Sequence, residues 1–496
     1  MLNISLQKKT SGRMPSKIKQ GRDMKANSHK IQFDHQMILL GFGSIGKALL
    51  PVILEKFKLK KTQITIISAD NSGAKIAEEY GIAFQLHIIT PSNYLDILGK
   101  QLHSGDFLVN LSCNISSIPL IELCNDHEAL YIDTANDPWE EDFAVQSLSL
   151  ADRTNYMLRE TALKLKGKVK KTAILTHGAN PGLASHFVKE ALLRMAKDNN
   201  LSVTMPTNSQ EWATLAKNLN IKAIHVAEHD TQISNKPKLA GEFVNTWSVD
   251  SFVLEGLQPA ELGWGTHEKH LPLDGRQHTE GSQCAIYLER PGAGTKVRSW
   301  TPSFGPIHGL LITHAESISI SNYLTLKDQD TVSYRPTVHY AYCACPDAWL
   351  SILELGSTEW KKPERQRIMF NEIIHGVDEL GVLLMGNTKG AYWFGSTLSV
   401  QEARSIAPFN NATSLQVVAG VLSGMMWAIE NPAAGLVEAE DMDHEFILNI
   451  ARPYLGKVDG YYTNWTPLQD RGNVFPERTG HLDLSDPWQF SNIRVS

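Results

Sequence analysis

A chain of 496 residues with 42% hydrophobic and 20% charged side chains has material for two or three globular units, and it lacks the bias of disordered, collagenous or disulfide-framed proteins. The formal charge of −6 conceals a basic start, with eight Lys/Arg against the single acid Asp23 in the first 30 residues; the body that remains is acidic, which disfavours nucleic acid and favours a cationic ligand. Five cysteines (Cys113, Cys124, Cys284, Cys343, Cys345) without a CxxC pair read as reduced thiols of a cytoplasmic protein, with no metal site.

The first 36 residues, rich in Lys, Ser and Asn and without periodicity or an apolar leader segment, are expected to form a flexible arm. No run of about 20 uninterrupted apolar residues follows, so no membrane span is expected. From Met37 the chain alternates β-branched runs (Met37–Leu40, Ile64–Ser68, Phe84–Ile89, Phe107–Ser112, Leu130–Thr134, Thr172–Thr176) with helical patterns (Ile45–Phe57, Ser72–Tyr80, Ser92–Gln101, Ser117–His127, Asp152–Lys166). Strand, helix, strand in series predicts a parallel doubly wound sheet over residues 37–178.

That sheet opens on Gly41-Phe-Gly43-Ser44-Ile45-Gly46, a dinucleotide fingerprint between an apolar strand and a helix. Such glycines allow a tight turn and close approach of the backbone to a pyrophosphate, which the helix N-terminus then faces. Asp70, after the second strand, stands where an acid binds the adenine ribose, and no Arg beside it awaits a 2′-phosphate, so NAD is favoured over NADP. Asn110, Ser112, Asn114, Thr134 and Ala135 sit at further strand ends and are candidate cofactor contacts. Asp133 suits a turn as well as a ligand, whereas Asp137 is free to reach a substrate.

After His177-Gly-Ala-Asn180-Pro-Gly182 comes an amphipathic helix, Leu183–Lys197. Residues 179–411 are expected to form an α+β substrate domain, its 220–345 portion a largely antiparallel sheet with long loops. Ser351–Glu359 and Pro363–Glu372 read as helices. Thr413–Ile429 reads as a buried helix that returns to the first sheet, with 412–496 as a return segment and extension. Within the middle portion Glu228 ends a strand, and Trp247 and Glu255 follow. Carboxylates replace the lost hydration of an amine and an aromatic face attracts a cation, although a core Trp and solvated Glu residues fit the same string.

The strings GFGSIG, DTAND-PW, HGANPG, HVAEHDTQ, GEFVNTWSVD, EGLQPAELGWGTHE, GLLITHAES and DELGVLLMG, in this order, resemble the bacterial homospermidine synthases, relatives of saccharopine dehydrogenase. The resemblance spans residue 37 to the C-terminus. It implies joining of two putrescines into homospermidine with release of ammonia, spermidine as a further amine, NAD acting as a prosthetic group, and a homodimer. It makes Trp247 the cation–π residue, Glu228 and Glu255 amino-group ligands with Asn180 and His314 completing the inner site, and Asp137 and Asp378 holders of the distant ammonium. Asp137 stands where the family carries Glu, and the basic start departs from the pattern. Oxidation of an ammonium needs a general base, for which Glu255 and His314 are both candidates. The rival is a saccharopine- or carboxyspermidine-type dehydrogenase, whose carboxylated substrates demand arginine forks; Arg290, Arg298 and Arg335 are the nearby arginines.

Overall fold

The computed structural model describes residues 30–139, 148–361, 363–471 and 482–495. Most of the expected basic arm, residues 1–29, lies outside the described residues. Its last stretch is not an arm, since Ile31–Gln32 pair in parallel with Phe57–Lys58 and Phe33 is buried.

The first unit holds β1 (Met37–Leu40), α1 (Ser44–Lys56), β2 (Ile64–Ser68), α2 (Ala74–Tyr80), β3 (Ala83–Leu86), β4 (Phe107–Asn110), α3 (Ser117–Asp126), β5 (Leu130–Asp133), α4 (Asn155–Leu163) and β6 (Ala173–Ile174). The strands lie in the order β6-β5-β4-β1-β2-β3, every neighbour parallel, and the far strand Leu436–Val437 adds to β6. β1 and β4 are buried along their whole length, as uninterrupted apolar runs in a sheet covered on both faces must be. The end of one strand in this sheet differs from expectation: Phe84–Ile89 is extended only to Leu86, leaving Ile88 exposed.

The second unit starts with α5 (Leu183–Asp198) and centres on β7 (Ala223–Asp230), buried at all its positions. Then follow α6 (Val249–Leu257), β8 (Pro259–Gly263), α7 (Ala315–Tyr323), β9 (Thr337–Cys343), α8 (Pro346–Ser357), β10 (Val377–Met385), β11 (Ala391–Ser399), α9 (Ala412–Glu430) and β12 (Lys457–Thr463). β7 is flanked by β9, parallel, and by β10, antiparallel, within a mixed and mostly antiparallel sheet of 11 strands. Two helices, α6 and α7, interrupt the portion expected to be sheet and loop. Ser248 starts the first by accepting a hydrogen bond from the Ser251 backbone N–H, the local chemistry that converts the following apolar run into a helix. The expected helix at Pro363–Glu372 is instead strand Arg365–Ile368, parallel to Glu242–Asn245; the Arg367 guanidinium bridges Glu242 and Glu372, a tertiary contact that outweighs local helix propensity.

α9, 19 residues long and apolar on all sides, is long and apolar enough to cross a membrane but is buried here between the units. It packs on α1 and β5 of the first sheet and on β10 and β11 of the second. Along one face of the helix Gly420 lies so close to Gly178 that a Cβ would meet the Gly178 carbonyl oxygen at 1.9 Å. The His177 Nδ1 is 3.0 Å from the Gly420 carbonyl, and its Nε2 3.0 Å from His186 Nε2. Burial holds both histidines below the usual imidazole range, so they are neutral structural pins for the loop that carries Asn180.

Candidate active site

The expected cofactor residues gather at the C-terminal ends of β1, β2, β4 and β5, where ligands bind in open α/β sheets. Gly41 takes a left-handed φ of +91°, and a Cβ there would lie 2.7 Å from the Leu111 carbonyl carbon and the Ser112 nitrogen. At Gly46 a Cβ would meet the Gly41 carbonyl oxygen at 2.7 Å, whereas at Gly43 it would meet nothing within 4 Å. Two glycines thus serve internal packing, and the third faces the open space before the N-terminus of α1, whose first turn (Ser44, Ile45) carries no acid. These features fit a dinucleotide pyrophosphate. Gly43→Ala is therefore expected to leave the melting temperature within about 1 °C while stripping the bound dinucleotide. Gly41→Ala should lower the melting temperature by several degrees as well, since overpacking typically costs about 1–3 kcal/mol. Circular dichroism melts and the absorbance of the released nucleotide distinguish the two.

Asp70 is exposed, and its carboxylate accepts the Ser72 N–H at 2.7 Å, which holds it below the usual range. The cation beside it comes from α1 and was not evident in the loop sequence: Lys47 Nζ is 3.0 Å from Ser72 Oγ. Asn110 turns inward, donating to Tyr131 Oη at 3.2 Å and accepting from the Ser112 backbone and hydroxyl, so it shapes the loop. Asn114 is left-handed at φ 63°, and Thr134 and Ala135 are half-buried at the end of β5. Asp133 is a structural residue, fully buried, with the Thr176 N–H at 2.6 Å and Tyr131 Oη at 2.8 Å. Asp137 is less free than expected, because its Oδ2 accepts the Asn114 N–H at 2.9 Å. Burial and the nearby charges of Glu255 and Asp133 push its carboxyl up to about 7.

Facing this edge, β7 and β9 present a continuous polar and aromatic surface. In register, Tyr342 lies beside Glu228 and Tyr340 beside Val226, with both tyrosines on the face of Glu228 because side chains two apart share a face. Glu228 Oε2 accepts Tyr340 Oη at 2.5 Å and Asn180 Nδ2 at 2.9 Å. Asn180, in the loop closed by its cis peptide bond to Pro181, thereby joins the second sheet to the first unit. Burial raises the Glu228 carboxyl to about 7, against those two hydrogen bonds.

His314, preceding α7, packs against Tyr340 with ring centres 4.3 Å apart and the planes tilted by 33°. Its Nε2 is 3.1 Å from Glu255 of α6 and its Nδ1 3.2 Å from the buried Glu316. Burial works against its charged form, yet the carboxylates on either side raise it to about 10, so it is an imidazolium donating through both nitrogens. Trp247 is half-buried, donates to Tyr342 Oη at 3.0 Å, and packs at 5.2 Å against Phe252, one turn ahead of Glu255 on α6. Asp378 lies on the same sheet face, two residues from Leu380, which is directly opposite Glu228. Its separation from Glu228 is thus roughly 7 Å along the strands.

Sequence reading missed Tyr340, Tyr342, Glu316 and Asp230. The alternation in Thr337-Val-His-Tyr340-Ala-Tyr342-Cys contained a signal, but only pairing with β7 shows that both rings face the acids. Other residues of the middle segment are structural. Glu261 is fully buried and accepts the Asn155 N–H at 2.7 Å and the Thr313 hydroxyl at 2.6 Å, and Trp264 packs on Phe490. His225 packs against His339 on the opposite face of the sheet, 3.9 Å between ring centres and tilted by 35°. Arg290, Arg298 and Arg335 donate to the backbone carbonyls of Gly294, Pro467 and Trp264, each at 2.7 Å, and form no fork for a carboxylated ligand.

Comparison with known proteins matches residues 37–175 to the saccharopine dehydrogenase NADP binding domain and residues 178–463 to the saccharopine dehydrogenase C-terminal domain. Homospermidine synthase of Mesorhizobium japonicum is 48% identical over 468 residues, which is 92% of this chain and 96% of that protein. Homospermidine synthase of Blastochloris viridis is 47% identical, over 94% of this chain and 98% of its own length. Among solved structures, homospermidine synthase of Legionella pneumophila in complex with NAD superposes with a TM-score of 0.89 at 58% identity, over 95% of this chain and all of that one. With matches of this extent across both units, the chain belongs to the saccharopine dehydrogenase family and, within it, to the homospermidine synthases.

Proposed function

We propose that this protein joins two putrescine molecules into homospermidine and ammonia at the pocket between the β1–β5 strand ends and β7. The carrying observation is the anionic and aromatic surface of Glu228, Glu255, Asp378, Trp247, Tyr340 and Tyr342, which suits a diamine and offers nothing to a carboxylated substrate. NAD is the dinucleotide that fits the Gly43 opening, as supported by the NAD complex of the Legionella relative; when bound, it takes a hydride from the diamine and returns it to the coupled imine.

The chain's own residues do the remaining work. Glu255 removes a proton from the reacting ammonium, whose nitrogen otherwise has no lone pair to form an iminium. His314 cannot be that base because both its nitrogens already carry protons; it holds Glu255 in place and balances its charge. Trp247 and Glu228 stabilise the iminium, the ring by its face and the carboxylate by its charge, in surroundings where such contacts exceed their strength in water. Asn180 and Tyr340 orient Glu228. Asp378, roughly 7 Å along the sheet from Glu228, takes the far ammonium of a four-carbon diamine. Asp137, near Glu255, takes the distal ammonium of the other amine. Enclosure by Phe252, Tyr340 and Tyr342 keeps water from hydrolysing the imine.

The functional unit in this reading is a cytoplasmic homodimer. Leu350 and Leu353 of α8 are 54% and 56% exposed, an apolar surface of the kind that a second copy covers. Incubation with putrescine and NAD⁺ is expected to yield homospermidine and ammonia in equal amounts with little free NADH. Stoichiometric NADH without a coupled polyamine would overturn the reading in favour of a simple dehydrogenase.

A further inference from the structure

Asp230 has no part in the amine chemistry above, yet it lies directly opposite Asp378 in the antiparallel β7–β10 pairing, and both side chains are fully buried. Like charges facing each other across such a pair repel, and inside a protein the repulsion is weakly screened. Their hydrogen-bond partners are distributed unequally. Asp230 Oδ1 accepts the Gln232 backbone N–H at 2.8 Å and its side-chain amide at 3.1 Å, and Oδ2 accepts the Thr246 hydroxyl at 2.6 Å. Asp378 Oδ2 meets the Thr413 hydroxyl at 2.5 Å, while Oδ1 has no partner and no exposure to solvent.

Thr413 sits between the two acids. Its Oγ1 accepts the Gln232 amide at 3.1 Å and stands 3.5 Å from Asp230. The surrounding groups come from five elements: Glu228 of β7, Tyr342 and Cys343 of β9, Cys345 at the start of α8, Glu379 of β10 turned away to the Ser303 N–H and hydroxyl, and the first turn of α9, whose Ala412 N–H donates to Gln232. Among the described residues no Lys, Arg or His hydrogen-bonds either carboxylate. A buried carboxylate with an unpartnered oxygen is unfavourable as a bare anion, so Asp378 is either neutralised by a proton or paired with a cation. Burial, with the charges of Glu228 and Asp230, raises Asp378 well above the usual carboxyl range, whereas Asp230 rises only to about 6.

We infer that Asp230 is a positioning residue. Held ionised by its own donors, it obliges Asp378 to carry a proton whenever no cation lies against it, so the far subsite exchanges one proton for one ammonium. The inference rests on the diamine reading. In the exchange the O–H bond of Asp378 breaks, its proton leaves to solvent, and the carboxylate pairs with the incoming ammonium; no oxidation state changes. An amine without a far ammonium has nothing to exchange.

The test uses the enzyme loaded with NADH, which cannot oxidise the amine. Putrescine and 1-aminobutane are titrated calorimetrically near pH 7 in buffers of different ionisation heat, which counts the protons released. The wild type should release about one more proton for putrescine than for 1-aminobutane, with putrescine affinity rising up to about tenfold more per pH unit. Asp230→Asn should abolish that difference while keeping NADH and the melting temperature, an effect that a structural role alone would not produce. Asp378→Asn should abolish it with weaker putrescine binding. The proposal is overturned if the wild type shows no extra proton, or if either variant retains it; should Asp230→Asn fail to fold, Asp378→Asn and the wild type still decide. Binding of neither amine would instead bring down the diamine reading itself.

Discussion

Replacing Trp247 by alanine is expected to remove most turnover, lowering kcat by about 30-fold or more, while bound NAD is retained. A desolvated cation–π contact contributes about 2 kcal/mol, and that amount converts to roughly a 30-fold change in rate if the contact forms only with the iminium. The side chain is half-buried, with its indole N–H on Tyr342 and one side packed against Phe252. Trp247→Phe keeps a weaker face and should fall between the two. The measurement is kcat beside nucleotide content and melting temperature. Equal loss of all three in Trp247→Ala would mean that the ring supports the fold and not the charge.

Glu255→Gln should be the more damaging change, lowering kcat by about 10²–10⁴, the usual contribution of a positioned general base. The amide keeps the size of the side chain and an oxygen to accept from His314 Nε2, 3.1 Å away in the native site, so the geometry survives and only the proton acceptor is lost. Residual activity should rise with pH as the diamine loses its own proton in solution, whereas the native enzyme gains as its raised carboxyls, Glu228 and Asp137 at about 7, ionise. The sign follows from the direction of each shift. A carboxyl with a raised pKa is charged only above it, giving an acid limb near 7, and His314 keeps its charge up to about 10. A variant slowed only a few-fold, or one without pH rescue, would place the base elsewhere.

The dinucleotide half was legible because its chemistry is local. The Gly41-x-Gly43-x-x-Gly46 turn, the strand before it and the helix after it are consecutive, and Gly41 and Gly46 answer to contacts made within or beside that turn. Even there the sequence did not distinguish Gly43, which faces open space, from Gly41, which packs on Leu111. The same limit governed Asp133 and Asp137. Sequence kept a ligand role open for Asp133 and read Asp137 as free, yet Asp133 is buried beneath Tyr131 and Thr176 while Asp137 is tied to the Asn114 N–H near Glu255.

For the amine half, the sequence alone was enough, through its motifs, to place the chain in its family, whereas its acids and Trp247 suited a cation-binding surface and a core Trp with solvated Glu residues alike. The surroundings of the two candidate bases were decided by tertiary structure. Glu255, His314 and Glu316 come from α6 and from the start of α7, and only their meeting sets a carboxylate against each nitrogen of His314 and raises its pKa. The facing of Asp230 and Asp378 likewise exists only through the register of β7 on β10, 148 positions apart in the chain. Residue type determines which charges a chain carries, and periodicity over a few residues determines its helices and strands. The protonation of a buried group depends on neighbours brought in from distant segments, and no local pattern contains them.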